Sequence, residues 1–251
     1  MKNVTAAILI IGNEILSGRT QDANLAYISQ QLLKINIRVM EARIVPDIET
    51  EIVGAVNYLR KKYDYLFTTG GIGTTHDDIT AASVAKAFGR NVIRDPRAVA
   101  ILNKHYDGQP GEIRLRMADM PEKADLIINP VSGAPGFQIE NVFVLAGVPS
   151  IARAMIDGVL DRLQGGDEIY TETISAYVTE NSIADEMAKI ATFYSQIDIG
   201  SYPYFRQGKF GTALVLKGTD KSALDKAAQE LRTLIRSQGV DVLVEDESII
   251  C

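Results

Sequence analysis

The stretch of this 251-residue chain that carries the most chemistry is a glycine-rich segment following an apolar run. It reads Gly70-Gly71-Ile72-Gly73 and continues as Thr74-Thr75-His76-Asp77-Asp78. Three glycines allow neighbouring backbone N–H groups to turn inward and form a concave anion site. The positive end of a following helix strengthens such a site. The segment therefore predicts a phosphate site that needs no lysine.

Two adjacent carboxylates, Asp77 and Asp78, stand beside this predicted anion site. They would repel a phosphate unless a hard divalent cation with oxygen ligands lay between them. This pattern predicts Asp77 and Asp78 as metal ligands and catalytic carboxylates. A purely structural alternative is a capping box, in which Thr75 and Asp78 start a helix running from about Asp78 to Phe88. For His76 the sequence leaves two roles equally possible, a contact with a ligand or a place in the core.

A second polar loop follows the first apolar run and contains Asn13, Glu14, Asp22 and Asn24. Ligands of open α/β sheets bind beyond the carboxyl ends of the strands, so this loop is expected at the same sheet edge. Glu14 and Asp22 are suited to metal or ribose hydroxyls. The alternative is that Asp22 caps the next helix and Glu14 is solvated.

Strand and helix patterns alternate through the first two-thirds of the chain. Val4–Ile11 is typical of a strand buried on both faces, and Tyr65–Thr69 leads into the glycine segment. Asp47 and Asp95 are predicted helix N-caps, the latter followed by a proline at the first helical position. The alternation predicts a three-layer αβα domain with a mostly parallel sheet over residues 1–164.

After the predicted linker Gly165-Gly166 the order of elements changes. Residues 167–251 read as β-α-β-β-α-β, a small α+β domain of ferredoxin-like pattern whose last strand is Val240–Val244. Gly208-Lys209-Phe210-Gly211 matches the GxxG of RNA-binding KH domains, but it lies between two predicted strands. It is therefore predicted to be a hairpin turn, with the aromatics of Tyr202–Phe210 packing across the strands.

Composition excludes several classes of function. Lys and Arg number 26 against 32 Asp and Glu, a net charge of −6, and no basic patch stands out. Nucleic-acid binding is therefore not expected. The single cysteine, Cys251, rules out an intramolecular disulfide and a cysteine-based zinc site. No run approaches the ~20 apolar residues of a membrane span, so a cytoplasmic protein without membrane contact is expected.

Several ordered motifs resemble the N-terminal region of the CinA (competence/damage-inducible protein A) family, within the molybdopterin-binding domain superfamily. They are Gly12-Asn13-Glu14-Ile15-Leu16-Ser17-Gly18, Asp22 with Asn24, Gly70-Gly71-Ile72-Gly73, and Thr75-His76-Asp77-Asp78. Thr74 and Ala146 stand where the family usually has proline, and Ala23 stands where it usually has threonine. The deamidase domain that follows in full CinA proteins is not expected here.

This resemblance implies a three-layer α/β domain, a KH-like second domain and a homo-oligomer, with a dimer favoured. It implies a pyrophosphatase that needs Co²⁺, Mn²⁺ or Mg²⁺ and hydrolyses ADP-ribose or a related dinucleotide such as FAD. Molybdopterin binding belongs to a related branch of the superfamily. The motif around Gly147 and Pro149 is, by itself, typical of an ordinary loop. The resemblance adds these two residues to the expected nucleotide contacts.

Two functional hypotheses follow. In the first, the protein is a metal-dependent hydrolase with Asp77, Asp78 and Glu14 as catalytic residues. In the second, it is a pterin or nucleotide carrier without turnover, and the two aspartates contact ligand rather than metal. Both use one predicted set of phosphate or nucleotide contacts: Gly70, Gly71, Gly73, Thr74, Thr75, His76, Asn13, Asp22, Asn24, Gly147 and Pro149.

Overall fold

Two compact units make up the chain in the computed structural model, which describes residues 3–206 and 208–243. The N-terminal unit ends at Gly166 and the C-terminal unit begins at Asp167. The strands are β1 (Val4–Ile11), β2 (Ile37–Val45), β3 (Tyr65–Thr69), β4 (Val92–Arg94), β5 (Asp119–Pro121), β6 (Asp125–Ile127), β7 (Gly136–Ile139), β8 (Val142–Leu145), β9 (Tyr170–Ala176), β10 (Asp198–Arg206) and β11 (Lys209–Gly218). The helices are α1 (Asn13–Leu16), α2 (Asn24–Lys34), α3 (Glu49–Lys62), α4 (Thr80–Ala87), α5 (Pro96–His105), α6 (Gly111–Leu115), α7 (Pro149–Asp157), α8 (Glu180–Phe193) and α9 (Lys221–Ser237), with 3₁₀ turns at Arg116–Ala118 and Leu160–Arg162.

A six-stranded sheet in the order β2-β1-β3-β8-β7-β6 forms the centre of the N-terminal unit. Strands β2, β1, β3 and β8 are parallel to one another. Strand β7 pairs antiparallel with β8, and β6 pairs antiparallel with β7. Alternate side chains of β1 enter two separate cores, with Ala6, Ile8 and Ile10 in one and Ala7, Leu9 and Ile11 in the other. Burial of both faces confirms the predicted three-layer α/β architecture.

Helix starts in this unit follow the sequence in two places. The Asp95 carboxylate accepts a hydrogen bond from the Arg97 backbone N–H at 2.8 Å, as predicted for an N-cap before proline. Asp22 accepts one from the Leu25 N–H at 2.8 Å, so it does cap the start of α2. The local alternative for Asp22 is therefore confirmed.

The predicted N-cap Asp47 is wrong. Helix α3 begins at Glu49 with Ile48 at the N-cap position and no side-chain capping bond. The Asp47 carboxylate instead accepts a hydrogen bond from the Asn13 backbone N–H at 2.9 Å. Asp47 bonds to this distant residue and not to its own helix because β1 and β2 are adjacent and parallel, which brings the segments after them side by side.

The C-terminal unit holds a three-stranded antiparallel sheet in the order β10-β11-β9, with α8 and α9 contributing to its core. The order β-α-β-β-α agrees with the predicted α+β pattern. The predicted last strand is not formed over residues 240–243, where Leu243 N–H donates one hydrogen bond to Ser175 O at 2.8 Å. Val244 and Cys251 lie outside the described residues.

The β10–β11 hairpin places only Gly208 of the GxxG segment in the turn, whereas the other three residues are paired within β11, so the predicted turn is confirmed in place but is shorter than expected. Phe205 and Phe210 are direct cross-strand partners with ring centroids 4.8 Å apart. Both rings are largely exposed. Cross-strand aromatic packing is therefore confirmed. Over the part of the chain that the structure describes, no helix combines the length and apolar character needed to cross a membrane.

Candidate functional site

Three loops of the N-terminal unit meet through their backbones at the carboxyl ends of β1, β3 and β8. Gly70 donates its N–H to Leu145 O at 3.3 Å and has a φ of +101°. A Cβ at Gly70 would lie 2.1 Å from Ile11 O, and one at Gly147 would lie 3.2 Å from the Gly70 Cα. Glycine at position 70 is thus required both by the positive φ and by the close approach of β1.

A small cavity of about 60 Å³, here called the edge cavity, lies where these loops meet. It brings together six residues predicted from the sequence: Glu14, Asp22, Asn24, Gly70, Gly147 and Pro149. They come from three loops far apart along the chain, which the parallel sheet gathers at one edge.

Two buried polar atoms at the edge cavity lack partners. The Asn24 side chain is almost fully buried, and its Nδ2 donates to Gly147 O at 2.8 Å. Its Oδ1 and the Thr69 Oγ1 have no hydrogen-bond partner among the described residues. A buried polar atom left unpaired costs roughly 1–3 kcal/mol. Such atoms around a cavity indicate a place for polar ligand atoms.

Glu14 and Asn13 belong to the one-turn helix α1. The Glu14 carboxylate folds back over Gly12, so a Cβ there would lie 2.5 Å from Glu14 Oε1. Asn13 is held by Asp47 and does not line the edge cavity. Asp47 is a positioning residue that the sequence analysis assigned to a helix start instead.

The glycine segment is fixed by Thr80, which sequence analysis missed. Thr80 is fully buried, its hydroxyl donates to Gly70 O at 2.9 Å, and its N–H donates to Gly71 O at 3.0 Å. The N–H groups of Gly71, Ile72 and Gly73 have no acceptor among the residues that the structure describes. Unpaired backbone N–H groups are one requirement of the predicted anion site.

Asp78 closes a turn rather than starting a helix. Its Oδ2 accepts hydrogen bonds from the Thr75 N–H at 2.7 Å and the Thr75 hydroxyl at 2.5 Å. Helix α4 begins only at Thr80, after Ile79 at the N-cap position. The predicted helix start at Asp78 is therefore wrong, and only half of the capping box forms. The Asp78 carboxylate also covers Gly73, where a Cβ would lie 2.6 Å from Oδ2.

His76 and Asp77 face solvent at the tip of this turn. The His76 side chain is 98% exposed and that of Asp77 is 55% exposed, with Nδ1 and Oδ1 4.0 Å apart. A core role for His76 is therefore wrong. The Thr75 hydroxyl, followed by the backbone N–H of Asp77, holds the pKa of the Asp77 carboxyl below its usual range. Asp77 is thus an ionised, accessible carboxylate.

A larger hollow of about 370 Å³ lies along the other end of the glycine segment, and is here called the loop hollow. The predicted residues that line it are Gly73, Thr74, Thr75, His76 and Asp78. Gly71, Asp77 and Asn13 line neither space. The predicted residues that line a space thus fall into two groups, one in the edge cavity and one in the loop hollow.

The carboxylates near the glycine segment are few. No cluster of three or more His, Cys, Asp or Glu side chains suited to a metal ion occurs within residues 3–206 and 208–243. Asp77 is exposed at the tip of the turn, whereas the Asp78 carboxylate accepts two hydrogen bonds from Thr75. Mg²⁺ is commonly held by one or two carboxylates together with substrate phosphates and water. This donor set fits a cation whose shell a diphosphate completes.

Comparison with known families gives two matches along the chain. Residues 7–165 match the family described as "Probable molybdopterin binding domain". Residues 168–243 match the family described as "FAD synthase, middle domain". The first match covers more than half of the chain.

Similar proteins support the same assignment. An Archaeoglobus fulgidus protein is 31% identical over 92% of this chain and 98% of its own length. A CinA-like protein of Desulfosudis oleivorans is 35% identical over 73% of this chain and 48% of its own length. A Caenorhabditis elegans protein named "Probable FAD synthase" is 28% identical over 92% of this chain and 50% of its own length. The chain therefore spans about half of the last two relatives.

A solved structure also resembles the N-terminal unit. The crystal structure of CinA from Thermoplasma acidophilum has a TM-score of 0.59 and 33% identity, and covers 63% of this chain and 98% of its own. The resemblance seen in the sequence motifs is confirmed by these matches. The chain belongs to the CinA-like family whose members carry the molybdopterin-binding domain.

Proposed function

We propose that the protein binds a dinucleotide by its diphosphate at the carboxyl edge of the large sheet and hydrolyses it with a divalent cation. The observation that carries the proposal is the pair of unpartnered buried atoms, Asn24 Oδ1 and Thr69 Oγ1, together with the unpaired N–H groups that follow Gly70 in the glycine segment. ADP-ribose and FAD are the proposed substrates. The match of residues 168–243 to a domain of FAD synthases supports FAD in particular.

Different groups of the site have different proposed roles. The N–H groups of the glycine segment stabilise negative charge that grows on the phosphoryl oxygens. The ionised Asp77 carboxylate, with Asp78, would hold Mg²⁺, Mn²⁺ or Co²⁺, and such a cation would supply charge neutralisation of the diphosphate and a more acidic bound water. From the edge cavity, Glu14 and Asp22 accept hydrogen bonds from ribose hydroxyls.

A direct assay tests this proposal. The purified chain is incubated with ADP-ribose or FAD and each of the three cations, and AMP release is followed by chromatography. We expect release that EDTA abolishes. The Asp77→Asn variant serves as the matched control, because it removes one charge from an exposed side chain. No AMP from either substrate with any cation contradicts the proposal.

A carrier without turnover is the second candidate, favoured by the two hydrogen bonds that Asp78 accepts from Thr75, which leave Asp77 as the more accessible of the two carboxylates. It is also consistent with the molybdopterin-binding name of the matched family. Titration calorimetry separates the two functions. Tight molybdopterin binding that is indifferent to EDTA supports a carrier, whereas nucleotide binding that EDTA abolishes supports the hydrolase.

Oligomer formation is a separate proposal. The resemblance favours a homodimer that binds a nucleotide or pterin. The acidic composition and the lack of a long apolar run favour a cytoplasmic protein that contacts neither nucleic acid nor membrane. Sedimentation velocity on the full chain tests the dimer, because a species of about 55 kDa is expected from a 27.4 kDa chain. A single 27.4 kDa species would contradict it.

A further inference from the structure

The loop hollow combines a binding-sized volume with an apolar floor. Its volume of about 370 Å³ lies at the lower end of the ~300–1,000 Å³ typical of small-molecule sites. Met120 and Phe137 line it and are nearly fully buried, and Ile72 and Met117 add further apolar surface. Such a floor favours a planar heterocycle over a bare phosphate.

The charged groups at the loop hollow are mostly held by partners, but together they carry a net negative charge. Arg94 pairs with Asp119 through Nε at 2.8 Å and Nη2 at 3.1 Å, and with Glu112 through Nη1 at 2.5 Å. The Asp78 carboxylate accepts hydrogen bonds from Thr75, which is neutral and leaves the charge of the carboxylate in place. One guanidinium thus stands against the three carboxylates of Asp78, Asp119 and Glu112.

Arg116 is the second guanidinium at the loop hollow and differs from Arg94 in its contacts. It lies in the 3₁₀ turn before β5, lines the loop hollow and is exposed. Its guanidinium has no hydrogen-bond or ion-pair partner within the part of the chain that the structure describes. An unpaired fork of N–H donors beside an apolar floor matches a phosphate joined to a planar base, because guanidinium binds phosphate oxygens in a bidentate manner.

We propose that the loop hollow is the nucleoside monophosphate subsite, and that Arg116 determines specificity by pairing with the nucleotide's phosphate while the base rests on the apolar floor. This inference rests on the proposed function, since it assigns one half of the dinucleotide to one side of the glycine segment. Gly73, Thr74 and Thr75 line the same hollow, so the phosphate end lies against the end of that segment.

Calorimetric titration of the full chain with AMP and with adenosine tests the subsite without any hydrolysis. We expect Arg116→Ala to weaken AMP binding about 10-fold, the scale of one lost charge-assisted contact, and to leave adenosine binding unchanged. Arg116→Lys, which keeps the charge but not the fork, is expected to fall between the two.

Arg114→Ala is the matched control. Arg114 lies two residues earlier, and its guanidinium stacks over the Tyr106 ring at 4.3 Å without lining the loop hollow. Its loss removes the same charge and should leave AMP affinity unchanged. Circular dichroism of each variant identifies a folding defect, in which case Arg116→Gln replaces Arg116→Ala.

Three outcomes overturn the proposal: no AMP binding by the parent chain, equal AMP affinity in parent and Arg116→Ala, or equal loss of AMP and adenosine binding. AMP binding that depends on Arg116 in a chain that hydrolyses nothing refutes the proposed function and leaves this subsite standing. Hydrolysis with an unchanged KM in Arg116→Ala refutes the subsite and leaves the proposed function standing.

Discussion

The two sheets of this protein differ in which loops they bring together. In the N-terminal unit the parallel strands β1, β3 and β8 end at one edge, so the loops after them meet in backbone contact around Gly70. In the C-terminal unit the antiparallel strands β10 and β11 are joined by a tight hairpin. Parallel pairing therefore concentrates loops that are distant in sequence, whereas antiparallel pairing keeps a turn with its own strands.

The units also differ in how they treat buried hydroxyls. In the N-terminal unit Thr69 Oγ1 is buried at the edge cavity without a partner. In the C-terminal unit Thr212 is as deeply buried, but its hydroxyl donates to Val178 O at 2.7 Å. Among the described residues, the N-terminal unit also leaves the buried hydroxyls of Thr68 and Ser83 without partners, but of the three only Thr69 lines the edge cavity.

Gly70→Ala should give the largest effect, because it breaks the meeting of the three loops. The added Cβ would lie 2.1 Å from Ile11 O at a φ of +101°. We expect a loss of about 2–4 kcal/mol in the free energy of unfolding and loss of AMP release. Urea denaturation followed by circular dichroism measures the first. Gly54→Ala, in the open middle of α3, is the control and should gain about 0.5–1 kcal/mol. Similar values for the two variants would contradict the loop geometry.

Asp77→Asn should be the next largest effect and should act on chemistry alone. The side chain is exposed, so the melting temperature is expected to stay within a few degrees. The rate of AMP release should fall about 100-fold, the scale of losing a key electrostatic group. Asp78→Asn provides the contrast, because Asp78 closes the Thr75 turn and its replacement should also lower the melting temperature. An Asp77→Asn enzyme with parental rate would remove Asp77 from the site.

A pair of isosteric threonine replacements sharpens the comparison of buried hydroxyls. Thr69→Val removes an unpartnered hydroxyl and should be neutral or stabilising by about 1 kcal/mol, while weakening dinucleotide binding. Thr212→Val removes a made hydrogen bond and should destabilise by about 1–2 kcal/mol. Thermal unfolding with and without ADP-ribose measures both effects. The contrast fails if Thr69→Val is the more destabilising of the two.

Glu41→Gln on the edge strand β2 should give the smallest effect and leave activity unchanged. Hydrogen bonds from Tyr63, Lys62 and Arg43 lower the pKa of Glu41 to about 2. A carboxylate with a depressed folded pKa stabilises the protein above its unfolded pKa, and that contribution is lost as pH falls through the folded value. We expect a deficit of about 1 kcal/mol at pH 7, discounted for partial exposure.

Urea denaturation of parent and Glu41→Gln across pH 7 to 2 checks the sign of this effect. The difference between the two should shrink between pH 4.5 and pH 2, because protonation removes the same interaction in the parent. A deficit that grows on acidification would contradict the assigned pKa.

Much of the fold could be predicted because its signals are local. The apolar run of β1 predicts a buried strand, and the Asp95-Pro96 pair predicts the start of a helix, in each case from neighbouring residues alone. Strands β4 and β5 have three residues each, too few to show a period, so the ribbon they form could not be foreseen. The partner of Asp47 could not be foreseen either, because it lies 34 residues away across the sheet edge.

The residues that line the two spaces could be predicted in part, but their arrangement could not. Sequence spacing places Asp22, Gly70 and Gly147 at one edge, and the structure brings them to one cavity. Sequence spacing does not show on which side of the glycine segment a residue lies, so the division between the edge cavity and the loop hollow could not be predicted. Arg116 carries no motif, and only the pairing of its neighbour Arg94 with Asp119 makes it stand out.

The position of the Gly70–Gly73 segment between two separate spaces has a consequence for turnover. A dinucleotide that reaches both spaces is a bivalent ligand, and its second half binds at the high effective concentration set by its short covalent tether. Breaking the diphosphate leaves two monovalent products, each held by one space alone. The avidity that retains the substrate would then vanish with the bond, so that cleavage itself drives product release.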